Sequence, residues 1–598
     1  MGTLRRWLEA DLRVLALFRI AFGVLLLANL YDRMGGGGLL AFYSNEGILP
    51  DHYALFLPLT QGYWSLLSGF SSPNEVRFAV TVVALLYALY TVGYRTRLMQ
   101  VLVALCCISI DLRFLPVQHG GNVVMNVLVV WTVFLPLGAR WSVDRLFATL
   151  RAHRESGAEA LNARAWNAAA PTTHVGLAVL GATANFATIY FFNAFHKTGA
   201  PGWDDGSMVH WVLWQSRIAT GLASVLRLHE PAFFSPLMTW GTLVIEWVLP
   251  FTILAPNRAL RLFSWVSVQL LHGGIALLST LGPFSYAMMI YATLLLSGRD
   301  LAWAGAQLAR RTARREVRFD ASNPAHLFAV RVLARLDGLE RLTFAEARAG
   351  APFAVKREGQ GAFVEGVQAC GQALRALPFG FLVSWPFAWP RLGDLARWTV
   401  RTLARLGAER DVARAEVAEG PLHRRARLAV QIAGPMLLFP IVVTQVMLDS
   451  WKIAEAAKPR GRPQAFDDFV RHTQMLQGWS MFAPGLPLED ARLVVDATLS
   501  DGSHLDPLTG AAPDFEPGNQ GPFFMDQQWC EFHARMPGWT PHWRNVRDFL
   551  MRTPRREGWP EGRTITALEV YSVTWKSPPF GQTQVSGWQR RKLFDDKL

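Results

Sequence analysis

Apolar residues are gathered into long blocks: Leu12 to Tyr31, Val76 to Val92, Leu98 to Val117, Val123 to Leu137, Val175 to Phe195, Met238 to Ile253, Leu262 to Leu281, Phe284 to Leu296 and Leu428 to Leu448. Each is near the ~20 residues that carry a helix across a bilayer, so the pattern predicts eight membrane helices and then a ninth. Several blocks are short or carry a polar residue, which fits helices that hide one face inside a bundle. The first block is too long for the core of a signal peptide, and Asn29-Leu30-Tyr31 is a poor cleavage site. Between the eighth and ninth blocks the periodicity changes. Strand Glu316 to Phe319, helix Pro324 to Leu336, strand Leu339 to Ala345, a hairpin across Phe353 to Glu365 turned at Gly359 to Gly361, and helix Val367 to Leu377 follow one another. After the ninth block come a helical stretch near Phe466 to Leu476, the run Gly478-Trp479-Ser480-Met481-Phe482-Ala483-Pro484, an alternating Leu493 to Leu499, an Asp501-Gly502 turn and the apolar run Ile565 to Trp575. The expected fold class is mainly α: a polytopic helical membrane bundle of eight to nine spans, with a small α/β cytoplasmic module and a β-rich C-terminal soluble domain. The expected boundaries are 1–298, 299–427, 428–448 and 449–598.

Composition narrows the class. The chain has 598 residues, 51% of them hydrophobic, 12% aromatic and only 18% charged, against ~25% charged in soluble domains. Disorder and an ordinary soluble enzyme are excluded. The net charge of +13 acquires meaning from its placement. Arg5, Arg6 and Arg13, then Arg95 and Arg97, then Arg140, Arg145, Arg151, Arg154 and Arg164, then Arg258 and Arg261, then Arg299, Arg310, Arg311, Arg314 and Arg315 all fall beside alternate helix ends. Basic residues at short loops mark the cytoplasmic face, so both ends of the eight-span unit are expected there. The outer loops are then Asp32 to Glu75, Gln118 to Asn122 and His196 to Leu237. Arg424, Arg425 and Arg427 precede the ninth block, while Lys452, Lys458, Arg460 and Arg462 follow it; its far end is placed outside. From Arg299 to Arg427 there are 22 basic and 13 acidic residues, a net +9, which suits an anionic lipid leaflet better than nucleic acid. The four cysteines, Cys106, Cys107, Cys370 and Cys530, have neither disulfide-framework nor metal-site spacing.

Ionisable groups at membrane depth are costly and are functional candidates by default. They are Arg19, Asp111, Arg113, His119, His196, Lys197, Glu246 and His272. Asp111 and Arg113 are expected to neutralise each other, and Glu246 to be the buried partner of Arg19. Gly23, four residues after Arg19, would let a second helix approach closely. The segment Tyr190 to Trp203 sets one lysine, Lys197, in an aromatic cluster on a side with almost no other positive charge. Such a lysine either snorkels to the headgroups or is a desolvated amine that can act as a base. His119-Gly120-Gly121 and His272-Gly273-Gly274 fall in or beside spans, but haem would need histidines facing each other across the bundle. His504, His533 and His542 are spread through the tail without ligand spacing and read as surface or structural residues.

These blocks together resemble the horizontally transferred transmembrane domain family, of the vitamin K-dependent gamma-carboxylase type. The resemblance lies in Leu17-Phe18-Arg19-Ile20-Ala21-Phe22-Gly23, Tyr94-Arg95, Trp141-Ser142-Val143-Asp144, the Tyr190 to Trp203 segment with Gly206-Ser207-Met208, and His272 followed by Gly282-Pro283-Phe284-Ser285-Tyr286. It covers the first ~300 residues. It implies a lysine base, Lys197, that deprotonates a reduced quinone, with His196 and His119 as further catalytic positions. It implies Arg19, Asn193, Trp203, His272 and Tyr286 as substrate or quinone-binding residues. The cofactor implied is reduced vitamin K or menaquinone, with no metal. The family's lysine pair is replaced here by His196-Lys197. The tail does not match the animal enzyme's lumenal region, so a glutamate-rich protein substrate does not carry over. The middle module resembles a thioredoxin-like domain whose two cysteines would stand at Asn323 and His326; disulfide exchange needs two thiols.

Two functional readings follow. One is a quinol-oxygenating, carboxylase-like enzyme of the cell's inner (cytoplasmic) membrane, crossing it several times. The other is a non-catalytic factor that matures or exports a secreted peptide or protein on the outer side. The expected partners are the lipid bilayer, a lipid-soluble quinol and that secreted chain, and not nucleic acid. A transporter is disfavoured because no inverted repeat or pair of broken helices is seen.

Overall fold

The computed structural model describes residues 2–51, 63–168, 172–359, 361–389, 398, 402, 421–485, 488–518, 520–555, 559 and 561–597. The protein is mainly helical. Its apolar blocks become α1 (Leu12–Met34), α2 (Pro73–Val92), α3 (Thr96–Arg113), α4 (Gly120–Thr132), α5 (Leu177–Lys197), α6 (Phe234–Leu254), α7 (Arg258–Leu278) and α8 (Phe284–Tyr291), continued by a 3-10 turn at Ala292–Leu295. Local signals fix several ends. Ser72 and Glu75 form a capping box at the start of α2, and Gly93, at φ 73°, closes it in the left-handed region that glycine tolerates best. Asn257 accepts from two backbone N–H groups at the start of α7.

Among the described residues six helices are long and apolar enough to cross a membrane: α1, α2, α5, α6, α7 and Arg425–Asp449. The nine spans expected from the apolar blocks are therefore not all matched by long apolar helices. α3 carries Arg97, Gln100, Asp111 and Arg113, and α4 has 13 residues, about 20 Å of helix against a hydrocarbon core of about 30 Å. α4 is almost wholly buried, so protein rather than lipid surrounds it, whereas α3 is buried along one side and leaves Leu98, Val101 and Leu105 exposed along the other.

Buried charges are paired differently from the expectation. Asp111 meets Arg33 at 2.6 Å and Arg113 meets Asp51 at 3.3 Å, so Asp111 and Arg113 do not neutralise each other. Asn126 donates to the other oxygen of Asp111 at 2.8 Å. Arg19, fully buried, spends its guanidinium on backbone carbonyls of Leu137 (2.7 Å), Trp141 (2.5 Å) and Thr91 (3.3 Å). It ties three chain turns together and is not the partner of Glu246. A Cβ on Gly23 would strike Thr91, so the close crossing of α1 and α2 does require glycine there.

After α8, the helix α9 (Gly298–Arg311) leads to a four-stranded sheet. Its strands are β1 (Arg315–Asp320), β2 (Leu342–Ala347), β3 (Ala354–Arg357) and β4 (Val364–Glu365), in the order β2-β1-β3-β4, with β1 parallel to β2 and antiparallel to β3. Helices α10 (Pro324–Leu336) and α11 (Gly366–Leu374) complete the β-α-β-β-α order read from the sequence. Asn323 caps α10 by accepting from Ala325 and His326, which gives that residue a structural task. The hairpin tip at Gln360 and most of the basic stretch 390–420 lie outside the described residues. The module is held against the 149–166 segment by Arg164 on Asp337 (2.8 Å), Arg335 on Glu155 (2.9 Å) and a reciprocal pair between Asn162 and Phe344.

The last long helix is α12 (Pro421–Asp449). Beyond it the tail is mixed, not simply β-rich. β5 (Glu489–Leu499), β6 (His504–Leu505), β7 (Ile565–Lys576) and β8 (Ser586–Asp595) form an antiparallel sheet in the order β8-β7-β5-β6. Between β6 and β7 lie α13 (Gln527–Arg535) and α14 (Trp543–Met551). Their polar, tryptophan-rich sequences carry no continuous apolar block, so the strand pattern is the stronger signal in this stretch of sequence. This tail grips the loops at one end of the bundle. Trp529 donates to Gly36, Arg535 to Pro116, Arg552 to Gly47 and Ser216 to Asp490.

Candidate functional site

The site is built on the last two turns of α5. Tyr190, Asn193, His196 and Lys197 share a stretch of about two turns, and each is buried with a polar partner. Lys197 Nζ donates to both oxygens of Glu246 on α6, at 2.7 and 2.8 Å. Its ammonium lies 4.3 Å from the ring centroid of Trp203. Both members of the pair are buried, with 4% and 7% side-chain exposure. The snorkelling reading is therefore excluded for Lys197. In a water-poor setting a charge pair this close is favourable only when its remaining donors are also met, and the Trp203 face supplies one further contact.

The roof comes from the other end of the chain. The segment Gln477–Phe482 lies along α5. Gln477 accepts from Asn185 at 2.9 Å, while Asn185 accepts from Trp131 at 3.0 Å. Trp479 also donates to Gln477, and the Gln477 N–H donates to Asp449. Met481 N–H donates to Asn193 at 3.1 Å, and Trp203 donates to the Phe482 carbonyl at 2.7 Å. His196 lies 2.8 Å from the Trp479 carbonyl through Nδ1 and 2.8 Å from Ser450 Oγ through Nε2, and stacks on Trp451. Lys452 completes the junction by donating to the carbonyls of Phe195 and Thr198 at the end of α5, where a helix presents unsatisfied acceptors and a negative dipole end.

His272 and His119 line a neighbouring layer. Tyr190 OH is 2.9 Å from His272 Nε2, and the His272 ring packs against Phe284. His119 caps α4, its Nδ1 accepting from Gly121, and a Cβ on Gly282 would collide with its ring. Gly282 is at φ 54°, so glycine is required there both for backbone and for space.

The expected site residues thus divide. Lys197, Trp203, Asn193 and His196 are gathered around the end of α5, and His272 joins them through Tyr190. His196 faces the roof and not Lys197, and His119 acts as a helix cap. Arg19 is bound to carbonyls of Thr91, Leu137 and Trp141, away from this cluster, and Tyr286 is half exposed on α8. Glu246, expected on sequence to meet Arg19, is the carboxylate of the site. Gln477, Trp479, Ser450 and Asn185 are members that the sequence does not point to; the Gly478 to Pro484 run is a visible signal, but nothing local says what it packs on. Among the described residues no group of three or more His, Cys, Asp or Glu is placed to hold a metal ion. A cavity of about 10 Å³, room for about one water, lies elsewhere, against Asn29, Arg33, Tyr87 and Asp111.

Comparison of the chain with family models, with curated proteins and with solved structures finds no match.

Proposed function

We propose that the chain is a multi-pass enzyme of the inner membrane, of the carboxylase type, in which Lys197 takes a proton from a reduced quinone. The observation that carries the reading is the buried Lys197–Glu246 pair under the Trp203 ring. A lysine and a carboxylate joined by a 2.7 Å hydrogen bond can place their shared proton on either partner without changing the pair's net charge. With the proton on Glu246, the Lys197 amine is a base, and Glu246 holds the proton it must later return. A buried lysine with a single carboxylate partner is an arrangement suited to an amine that acts as a base. The aromatic edges of Phe191, Phe195 and Trp247, which surround this corner of α5 and α6, suit the flat ring of vitamin K or menaquinone, and Tyr190 and Asn193 supply polar atoms. When bound, the reduced quinone supplies, with dioxygen, the strong base that would abstract a substrate proton ahead of carboxylation.

The helices α3, α4 and α8 fill out this multi-pass bundle, and the tail's contacts with the loops after α1 and α5, away from the arginine-rich loops, support its placement on the outer side. A second reading, a non-catalytic maturation factor for a secreted peptide, is favoured by one observation: the tail is fastened to the loops beside the site over a wide front. The two are separated by following oxygen-dependent loss of reduced menaquinone by the protein in lipid nanodiscs. Turnover that disappears in Lys197→Ala is the expected result. Quinone binding without turnover in the wild type overturns the enzyme reading in favour of maturation.

A further inference from the structure

The module between α9 and α12 ends in an aromatic surface that nothing described in the structure covers. Phe379, Phe381, Leu382, Val383, Trp385 and Trp389 are each between 54% and 65% exposed. They are not a loose tail. Two short turns, Phe381–Ser384 and Trp385–Ala388, carry four of them, and Phe379 and Trp389 flank the turns. The turns are anchored from behind: Arg375 donates to Ser384 Oγ, the Leu377 carbonyl accepts from Gly380, and Phe387 packs so tightly against Gly371 that a Cβ there would press on it. The inward side chains therefore fix which side chains point out. Outside the spanning helices, exposed apolar surface of this kind marks a protein or membrane interaction site.

The chemistry around it selects the occupant. Tryptophan and phenylalanine, with Leu and Val between them, are the composition of a membrane-interface contact. The positive charge is close by. Arg375, whose guanidinium donates to Ser384 between the two turns, sets a cation against the patch, and Arg315 lies close to Arg375. The region from Arg299 to Arg427 as a whole carries a net +9. The helix α9, which joins the module to the bundle, repeats the pattern, with Trp303 66% exposed and Arg310 and Arg311 in its last turn. An apolar aromatic face accompanied by arginine fits an anionic lipid surface, whose headgroups meet the guanidinium groups while the rings enter the headgroup–acyl boundary.

We propose that the 379–389 surface is a monotopic membrane anchor that seats the cytoplasmic module on the anionic leaflet beside the bundle. The anchor holds the module flat, so that its contacts with the 149–166 segment and with the inner helix ends are kept in register.

The test uses the full chain in nanodiscs of phosphatidylcholine with or without phosphatidylglycerol. The photoreactive residue p-benzoylphenylalanine is installed in place of Phe381 or of Trp385, both exposed, so the fold is left intact. The same residue in place of exposed Arg348 is the control. After illumination, mass spectrometry should find lipid adducts at 381 and 385 at least fivefold above the control, rising severalfold with phosphatidylglycerol. Adducts confined to other residues of the same chain would show that the patch is covered from within and overturn the proposal. Adducts to a second copy would make it a dimer contact and overturn it equally, as would lipid labelling no greater than at position 348.

Discussion

Lys197 and Glu246 are 49 positions apart in sequence and 2.7 Å apart in space. Removing one of such a pair leaves the other charged and buried, which costs about 3–5 kcal/mol, whereas replacing both by neutral side chains is close to neutral. Lys197→Met should therefore lower the melting temperature of the purified protein by several degrees, and Lys197→Met with Glu246→Gln should recover most of the loss. Equal destabilisation of the single and double variants would mean that the two side chains do not act as a pair. The lysine is legible in the sequence because it stands alone in an aromatic run. Its partner is not, because several buried pairings of basic and acidic side chains are equally compatible with helix spacing. Distance along the chain carries no information about which buried charges meet.

A second residue-scale consequence lies in the tail. His533 is fully buried among Phe523, Trp529 and Phe532, and burial, then the charge of Arg492, lowers its pKa to about 3. The unfolded chain, with an ordinary histidine near 6.5, takes up a proton between those values that the folded domain refuses. Stability is thus complete above about pH 6.5 and falls as the pH drops towards 3, by about 2 kcal/mol between pH 7 and pH 5. Thermal melts at both pH values should show a loss about 2 kcal/mol smaller in His533→Phe than in wild type, the other buried histidines, such as His542, titrating alike in both. The difference between the two isolates the histidine, because Asp506, whose carboxyl burial raises to about 6, titrates with the opposite sign in both. Parallel curves would contradict the assignment.

At the scale of elements, the roof over α5 is the least expected feature. Segment 477–482 has no regular structure of its own, so its backbone groups must be met from outside. Asn193 and Asn185 on α5 meet two of its polar groups. Asn193→Leu leaves the Met481 N–H buried without an acceptor, at a cost of about 1–3 kcal/mol. Amide exchange across 477–484 should then speed about tenfold or more, measured by mass spectrometry, with α2 unchanged. Unaltered exchange would show that the roof is held by other contacts. The helices themselves are legible from apolar blocks, and the small sheet from its alternation. The lengths of α3 and α4 are not, because the apolar blocks run on into buried turns such as Phe114 to Val117 and Phe134 to Leu137, and hydrophobicity alone does not distinguish a buried turn from more helix. The tail helices α13 and α14 escape a reading by apolar blocks because their buried residues are mostly polar or aromatic, such as Gln527, Trp529 and His533.

For the whole molecule, two sets of contacts gather at different helix ends. The sheet module joins the segment that follows α4, and α9 joins the start of α1 through Arg13 on Gly298. The tail joins the loop after α1 and the loop after α5. With basic residues facing the cytoplasm, protease added to right-side-out vesicles should cut the tail near Trp588, which is exposed, and leave the exposed Arg348 region whole. Inverted vesicles should reverse the outcome. Cleavage of both from one side would refute the arrangement. The basic loops supply this sidedness for the module by themselves, whereas basic residues flank α12 at both ends and the covering of the α5 end by the tail depends on contacts almost 300 residues apart.

The central claim is that the buried amine of Lys197 works as a base towards a reduced quinone. Its most direct test is a single-turnover reaction of reduced menaquinone with ¹⁸O-labelled dioxygen in nanodiscs, comparing wild type with the Lys197→Met, Glu246→Gln double variant, whose fold the melting experiment verifies. Labelled quinone epoxide from the wild type and none above background from the double variant is the predicted result. Equal label in both, or none in either while quinone stays bound, would contradict the assignment of Lys197 as the base.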